Sequence, residues 1–259
     1  MCLALVAFSA HPRYRLVIAA NRDEYHARPA VPAAWWDEGF LAGRDLKEGG
    51  TWLGIDRRGR FALLTNVRDP SRHDPTAPTR GALVPRFLVD RAPPPAALAA
   101  LFAGGGRHNG FNLVAGDTSE LHWGSNRAAS PAALAPGVYG VSNHLLDTPW
   151  PKVERARAGF ARWCGGADAD DLAPVFALLR DAEQAPDEAL PATGVPREWE
   201  RLLSSPFIVS ATYGTRCTTV VTVGRDGNVR LVERSFDPSG RPVGEVDWRF
   251  ALEEPRGGA

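Results

Sequence analysis

The chain has 259 residues, of which 44% are hydrophobic, so it can bury a full core as one large domain or two small ones. Its 30 Lys and Arg residues balance its 30 Asp and Glu residues, which argues against a general electrostatic attraction to nucleic acid or an anionic membrane. No stretch approaches the roughly 18 continuous apolar residues of a membrane span. We therefore expect no nucleic-acid partner, no integral membrane segment and a small-molecule ligand or substrate.

The predicted elements are segregated along the chain. Apolar runs at 2–9 and 15–20 flank a turn at 10–13 and predict a hairpin, and a second pair lies at 52–56 and 60–66. Helical periodicity predicts helices at 81–91, 95–103, 151–163 and 171–182. Further strand-like runs lie at 110–115, 120–124, 137–142, 207–210, 217–223 and 229–236. The segment 128–136 resembles a surface connection. Strands at both ends without a regular βαβ alternation predict an α+β fold with antiparallel sheets, as a single domain over 1–259 with a frayed tail from about 255 to 259.

The cysteine and histidine residues exclude several kinds of site. Cys2, Cys164 and Cys217 are too few and too widely spaced for a disulfide framework or a zinc site, which favours a reducing compartment and a cytoplasmic location. The six histidines show no i, i+4 pair and no acidic partner at ligand spacing. We therefore predict no metal site and no required cofactor.

Cys2 is the strongest candidate for a reactive group. It follows the initiator Met1 directly, so removal of one methionine would give one residue both a thiol and a free α-amine. The amine titrates near ~8 and the thiol near ~8.5, so the amine can accept the thiol proton without a histidine. The alternative is a small apolar cysteine buried in a first strand.

Four further polar residues lie at the ends of predicted strands: Asp23, Asn66, Asn143 and Arg216. A carboxylate can orient an amine, amides can donate to a developing oxyanion, and a guanidinium can stabilise a thiolate or hold a carboxylate. If the sheets bring these positions to one rim, they form a catalytic group around Cys2. Taken one at a time, each is better explained as a turn, cap or ion-pair residue.

Several long motifs resemble those of the NRDE, or transport and Golgi organisation protein 2, family. They are Ala20-Asn21-Arg22-Asp23-Glu24-Tyr25 with Arg28-Pro29, the segment from Ala42 to Gly54, Leu64-Thr65-Asn66-Val67-Arg68, Tyr139-Gly140-Val141-Ser142-Asn143 and the segment from Tyr213 to Thr219. The resemblance runs from Met1 to about residue 250. It implies an association with haem trafficking, with acyl-CoA or lipid handling, and in animals with Golgi organisation.

That family is remotely similar to N-terminal nucleophile hydrolases of the choloylglycine hydrolase and penicillin acylase type, which implies a four-layer αββα sandwich. The similarity implies that Cys2 is the nucleophile and that Asp23 lies beside its amine. It also implies that Asn66 and Asn143 donate to the oxyanion. Arg216 would take the role of the arginine in a Ser-Arg pair of those hydrolases. One departure is that Ala20 occupies the position at which those hydrolases carry an arginine.

Two hypotheses follow. The first is an N-terminal-cysteine hydrolase that cleaves a small amide or thioester. The second is a carrier of haem, acyl-CoA or a related amphiphile that uses the same cleft without turnover. Candidate ligand-binding residues are Asn21, Arg22, Arg44 and Trp52, with Trp35 and Trp36 as further members of a carrier pocket.

Overall fold

The computed structural model describes residues 3–128, 131–166 and 171–253, so Cys2 and the predicted frayed tail lie outside the described residues. The described residues form thirteen strands and five α-helices, with short 3-10 turns between them. The strands are β1 Leu3–Phe8, β2 Tyr14–Tyr25, β3 Ala30–Trp35, β4 Phe40–Asp45, β5 Leu53–Asp56, β6 Phe61–Asn66, β7 Phe111–Gly116, β8 Leu121–Ser125, β9 Ala132–Leu134, β10 Gly137–Val141, β11 Tyr213–Gly224, β12 Asn228–Phe236 and β13 Pro242–Ala251. The helices are α1 Leu83–Val89, α2 Pro94–Ala103, α3 Pro151–Cys164, α4 Ala173–Leu179 and α5 Arg197–Leu202.

The strands form two antiparallel sheets. The first has the order β10-β1-β2-β11-β12-β13, and the second runs β3-β4-β5-β6-β7-β8-β9. The predicted α+β class with antiparallel sheets is confirmed. The first strand lies in the interior of its sheet, because β1 is hydrogen-bonded to β10 on one side and to β2 on the other.

The apolar residues divide into three buried clusters that separate the layers. Alternate residues of β1 point to opposite faces, so Ala4, Val6 and Phe8 pack between the sheets while Leu3 and Leu5 pack against α3 and α4. The second sheet repeats the pattern, with its outer face covered by α1 and α2. An interior strand covered on both faces must be apolar throughout, which is why β1 reads as a continuous hydrophobic run.

The prediction of a strand at 207–210 is wrong. Ile208 is buried, but its amide donates to the Thr215 hydroxyl and its carbonyl accepts from the Thr215 amide, so this segment folds back on β11 outside either sheet. No apolar run or periodicity in the sequence predicted β3, β4, β13 or α5, and β9 lies in the segment predicted to be a surface connection. The missed strands include three at sheet edges, where one-sided packing weakens the apolar signal.

A β-bulge lies where β2 ends and the antiparallel β11 begins. Thr215 is paired with Asp23 and Cys217 with Arg22, so Arg216 is the extra residue of β11. Bulges re-aim side chains, and this one lies beside the start of β1, whose Leu3 pairs with Asn21. Among the described helices, none has the length and apolarity needed to cross a membrane.

Candidate functional site

A cavity of about 420 Å³ opens at the end of β2, where it meets β4, β5 and β6 of the second sheet. We call it the charged cavity. Its charged lining consists of Arg22, Arg28, Lys47 and Arg80, opposed by Glu24, Asp45, Glu48 and Asp74, together with His73. Because the two signs nearly balance, the cavity would select a ligand by individual donors and acceptors more than by a long-range field.

Arg22 is the most deeply buried cation of this cavity, with only 4% of its surface exposed. Its guanidinium carbon lies 4.4 Å from the centroid of the Trp52 ring, and its Nη2 donates to Asp45 Oδ2 at 3.0 Å. Its Nη1 is buried and has no hydrogen-bond partner among the described residues. A buried cationic donor without an acceptor is unfavourable, so this nitrogen marks a place where an anion would be strongly stabilised.

Arg22 and Ala20 lie on the same face of β2. Ala20 packs between the two sheets, and residues two apart on a strand share a face. Arg22 therefore presents a guanidinium on the same face as Ala20, one step closer to the strand end.

Asp45 organises the cations around the cavity. Its Oδ2 accepts from Arg22 Nη2 and, at 2.6 Å, from Arg28 Nε, while its Oδ1 accepts from the amides of Lys47 and Glu48. Burial acts to raise the pKa of Asp45, but the hydrogen bonds from Arg28 and the Glu48 amide and the nearby cations outweigh it and lower the pKa. Asp45 is therefore ionised throughout the neutral range.

Close backbone contacts fix the walls of the charged cavity. A Cβ atom on Gly43 would lie 2.4 Å from Cζ2 of Trp52, so the glycine leaves room for the ring that supports Arg22. A Cβ atom on Gly50 would lie 2.5 Å from the carbonyl carbon of Gly81, where the loop after β4 crosses the turn before α1. The cavity is thus bordered by rigid backbone.

A second cavity of about 480 Å³ adjoins the first, and we call it the aromatic cavity. Its lining includes Tyr25, Tyr213, Leu203 and Val67 together with Asn66, Arg68 and Asn143. Both cavities are lined by Asn66, His73, Arg80 and Asn109, so they meet at the end of β6.

Asn66 and Asn143 are brought together at this junction. The Asn143 side-chain amide donates to the Asn66 carbonyl at 3.1 Å, and the Arg68 amide donates to the Asn143 carbonyl at 2.7 Å. Within the described residues the Asn66 side-chain amide makes no hydrogen bond, and it borders both cavities. Asn66 thus has a donor to offer to a bound carbonyl oxygen, and Asn143 keeps a second amide hydrogen.

Asn21 and Asp23 face away from the charged cavity. The Asn21 amide donates to the carbonyls of Leu179 and Pro206, and its oxygen accepts from the Thr218 hydroxyl. Asp23 Oδ1 accepts from the Thr215 hydroxyl at 2.6 Å. Asn21 therefore anchors the chain after α4, and Asp23 lies on the same outer face of β2.

Arg216 lies beside Arg22 but is directed at the backbone. Its Nη1 donates to the carbonyls of Tyr25, His26 and Arg28 at 3.0 to 3.2 Å, which closes the turn after β2. Burial, followed by the charge of Arg22, lowers the pKa of Arg216. Its Nε is buried without a hydrogen-bond partner among the described residues.

The remaining candidates are dispersed. Arg44 does not line the charged cavity, because its guanidinium carbon lies 3.8 Å above the Trp36 ring. Trp35 packs edge-on against Phe250, away from the cavity. Cys2 lies outside the described residues. Leu3 is the first described residue, and it pairs with Asn21 of β2.

Asp45, Arg28 and Tyr25 are site residues that were not predicted from the sequence. Asp45 and Arg28 lie within the same long motifs that suggested the family, but nothing in the spacing showed that they would meet across 17 residues. Tyr25 is the last residue of β2, and its pairing with Tyr213 depends on the long-range register of β2 and β11.

Known proteins resemble the chain over nearly its whole length. The family model for Transport and Golgi organisation 2 matches residues 1–238. The Transport and Golgi organization protein 2 homolog of Bos taurus is 39% identical over 260 residues, which covers 91% of this chain and 93% of the relative. The Homo sapiens homolog is 36% identical with the same coverage, and Transport and Golgi organization protein 2 of Drosophila melanogaster is 29% identical over 277 residues, or 93% of this chain and 95% of the relative. With the predicted motifs, the antiparallel sheets and a family match that spans most of the sequence, the chain belongs to the Transport and Golgi organisation 2 family.

Proposed function

We propose that the protein is an N-terminal-cysteine hydrolase that cleaves a small amide or thioester, with Cys2 as the nucleophile once Met1 is removed. The observation that carries the proposal is the amide pair Asn66 and Asn143, which lies at the junction of two cavities beside the start of an interior strand. Cys2 directly precedes Leu3, the first residue of β1, in the sequence. A strand that begins in the sheet interior is a rigid support for a nucleophile.

In the proposed reaction the Cys2 thiolate attacks the carbonyl carbon of the substrate, and the α-amine takes up the thiol proton. The side-chain amides of Asn66 and Asn143 would donate to the oxyanion that develops on the carbonyl oxygen. The amine then returns its proton to the leaving nitrogen or sulfur as the carbon–leaving-group bond breaks. Water attacks the resulting acyl-cysteine thioester and releases the carboxylic acid.

Arg22 supports the thiolate in this proposal. Arg22 belongs to β2, the strand next to β1, and its buried Nη1 has no hydrogen-bond partner among the described residues. A nearby cation lowers the pKa of a thiol, so Arg22 would favour the thiolate of Cys2. Because Arg22 lies on the same face as Ala20, it can supply the positive charge that the remote hydrolases place at that position.

The alternative, a carrier of haem or acyl-CoA without turnover, has less support. It expects Trp35, Trp36 and Arg44 around an apolar pocket together with Arg22 and Trp52, but only Arg22 and Trp52 line the charged cavity. The many charged groups there favour a polar ligand over a long apolar one.

The test begins with intact-protein mass spectrometry on natively expressed protein, to establish whether Met1 is removed. The processed protein and its Cys2→Ser and Asn66→Ala variants are then assayed against a panel of N-acyl amides and acyl thioesters. We expect cleavage by the processed protein, almost none by Cys2→Ser and strongly slowed cleavage by Asn66→Ala. Retention of Met1, or a processed protein that cleaves nothing in the panel, would overturn the proposal.

A further inference from the structure

Three aromatic rings form one wall of the aromatic cavity and its rim. Tyr25 ends β2, Tyr213 begins β11, and the two residues are register partners whose rings meet edge-on at 5.2 Å. Trp199 of α5 completes the group, 5.7 Å from Tyr213 and 6.5 Å from Tyr25. Tyr25 remains 52% exposed, which is unusual for a tyrosine packed against two other rings. Its ring therefore offers free aromatic surface to whatever enters the cavity.

A buried ion pair at the edge of this cavity holds α5, the helix that carries Trp199. Arg68 Nη1 and Glu200 Oε2 are 2.5 Å apart, with 9% and 2% of their side chains exposed. Glu200 Oε1 also accepts from the amide and the hydroxyl of Thr193, which fixes the loop before α5. Because Glu200 adjoins Trp199 in α5, the ion pair ties that helix to the chain just after Asn66.

The two cavities differ in chemistry on either side of Asn66. Charged side chains surround one, whereas the other combines Tyr25, Tyr213, Val67 and Leu203 with polar residues that include Arg68, Asp69 and Arg80. A carbonyl group held at Asn66 would direct a polar leaving group into the charged cavity and the acyl group toward Tyr25 and Tyr213. Aromatic rings prefer offset or edge-on partners at 4.5–7 Å, an attraction that a saturated ring of similar size does not share.

We propose that the aromatic cavity is the acyl-group subsite and that it selects acyl groups carrying a planar aromatic ring. This inference rests on the proposed hydrolase for its catalytic meaning, but the binding preference can be measured without turnover. Tyr25 acts as the specificity-determining residue, since its exposed ring supplies the stacking surface. The gain for an aromatic over a saturated ring is about three- to tenfold in the dissociation constant.

The experiment uses the full-length chain with Cys2→Ser, so that no probe is cleaved. Dissociation constants for phenylacetamide and cyclohexylacetamide are measured by ligand-observed NMR titration. We expect the phenyl probe to bind three- to tenfold more tightly. Adding Tyr25→Leu, which keeps apolar area but removes the ring, should abolish this preference, and Tyr25→Phe should retain it.

Tyr14→Leu is the matched control, because Tyr14 begins the strand that Tyr25 ends and lines neither cavity. It should leave the preference intact. Equal binding of the two probes, or a preference that survives Tyr25→Leu, would overturn the inference. Cleavage of amides without an aromatic preference would refute the subsite and leave the hydrolase standing, whereas an aromatic preference in a processed protein that cleaves nothing would refute only the hydrolase.

Discussion

Asp45→Asn is the sharpest test of how the charged cavity is built. The carboxylate faces two guanidinium groups, and the Arg22 and Asp45 side chains are only 5% and 11% exposed. The amide keeps an acceptor for the backbone turn at Lys47 and Glu48 but removes the charge that balances Arg22. Removing one partner of a buried ion pair typically costs 3–5 kcal/mol. Since Arg28 is 27% exposed and water can partly solvate it, we expect about 3 kcal/mol here.

The assay is urea unfolding of the wild type and of Asp45→Asn at pH 7 and at a series of lower pH values. The folded-state pKa of Asp45 is lowered, so its contribution is present above its unfolded pKa of ~3.9 and is lost as the pH falls through the folded value. The stability difference between the two proteins should therefore shrink below about pH 4. Asp187→Asn is the control, because its contact with Arg201 is exposed, and it should leave the unfolding midpoint almost unchanged. A cost for Asp45→Asn no larger than for this control, or a difference that does not change with pH, would refute the reasoning.

Three further predictions follow. Iodoacetamide should label Cys2 of the Met-processed protein ahead of the other two cysteines. Burial raises the pKa of Cys164 to about 11, and burial together with the charge of Glu233 raises the pKa of Cys217 well above its usual value. Equal labelling of the three cysteines in mass-spectrometric peptide mapping would contradict this prediction. Asn66→Ala should slow turnover by roughly 100-fold, the usual effect of losing one oxyanion donor, while the unfolding midpoint stays unchanged because the amide makes no hydrogen bond within the described fold. Burial raises the pKa of Glu233, so the wild type should lose stability relative to Glu233→Gln as the pH rises above the unfolded pKa of ~4.3. Urea titrations at a series of pH values would contradict this if the difference in unfolding free energy between the two proteins did not change with pH.

The amino-acid sequence specified much of the first sheet. The apolar runs that became β1 and β12 are strong because both faces of these strands are covered, one by the second sheet and one by helices or their loops. The edge strands β3, β9 and β13 were missed, since a strand at a sheet edge needs fewer buried side chains and its pattern resembles that of a loop.

The candidate site divides in the same way. Local sequence identified the residue types and their positions at strand ends, and Asn66 and Asn143, 77 residues apart, do meet there. Local sequence could not assign faces, so Asn21 and Arg22 were both predicted to bind ligand although one faces the helices and the other faces the cavity. The face of a strand residue depends on the register and on the layer that packs above it.

By itself, then, the sequence determined the α+β class, the family motifs and the polar strand ends, because these depend on local periodicity and on residue chemistry. Only the tertiary structure decided that Asp45 joins Arg22 and Arg28, that Arg216 caps a turn, and that Tyr25 and Tyr213 form an aromatic wall. The β2 and β11 contacts join residues about 190 to 210 positions apart, across a bulge that shifts the register by one residue. Such contacts are fixed by the packing of two sheets against each other, and no local pattern in the chain encodes them.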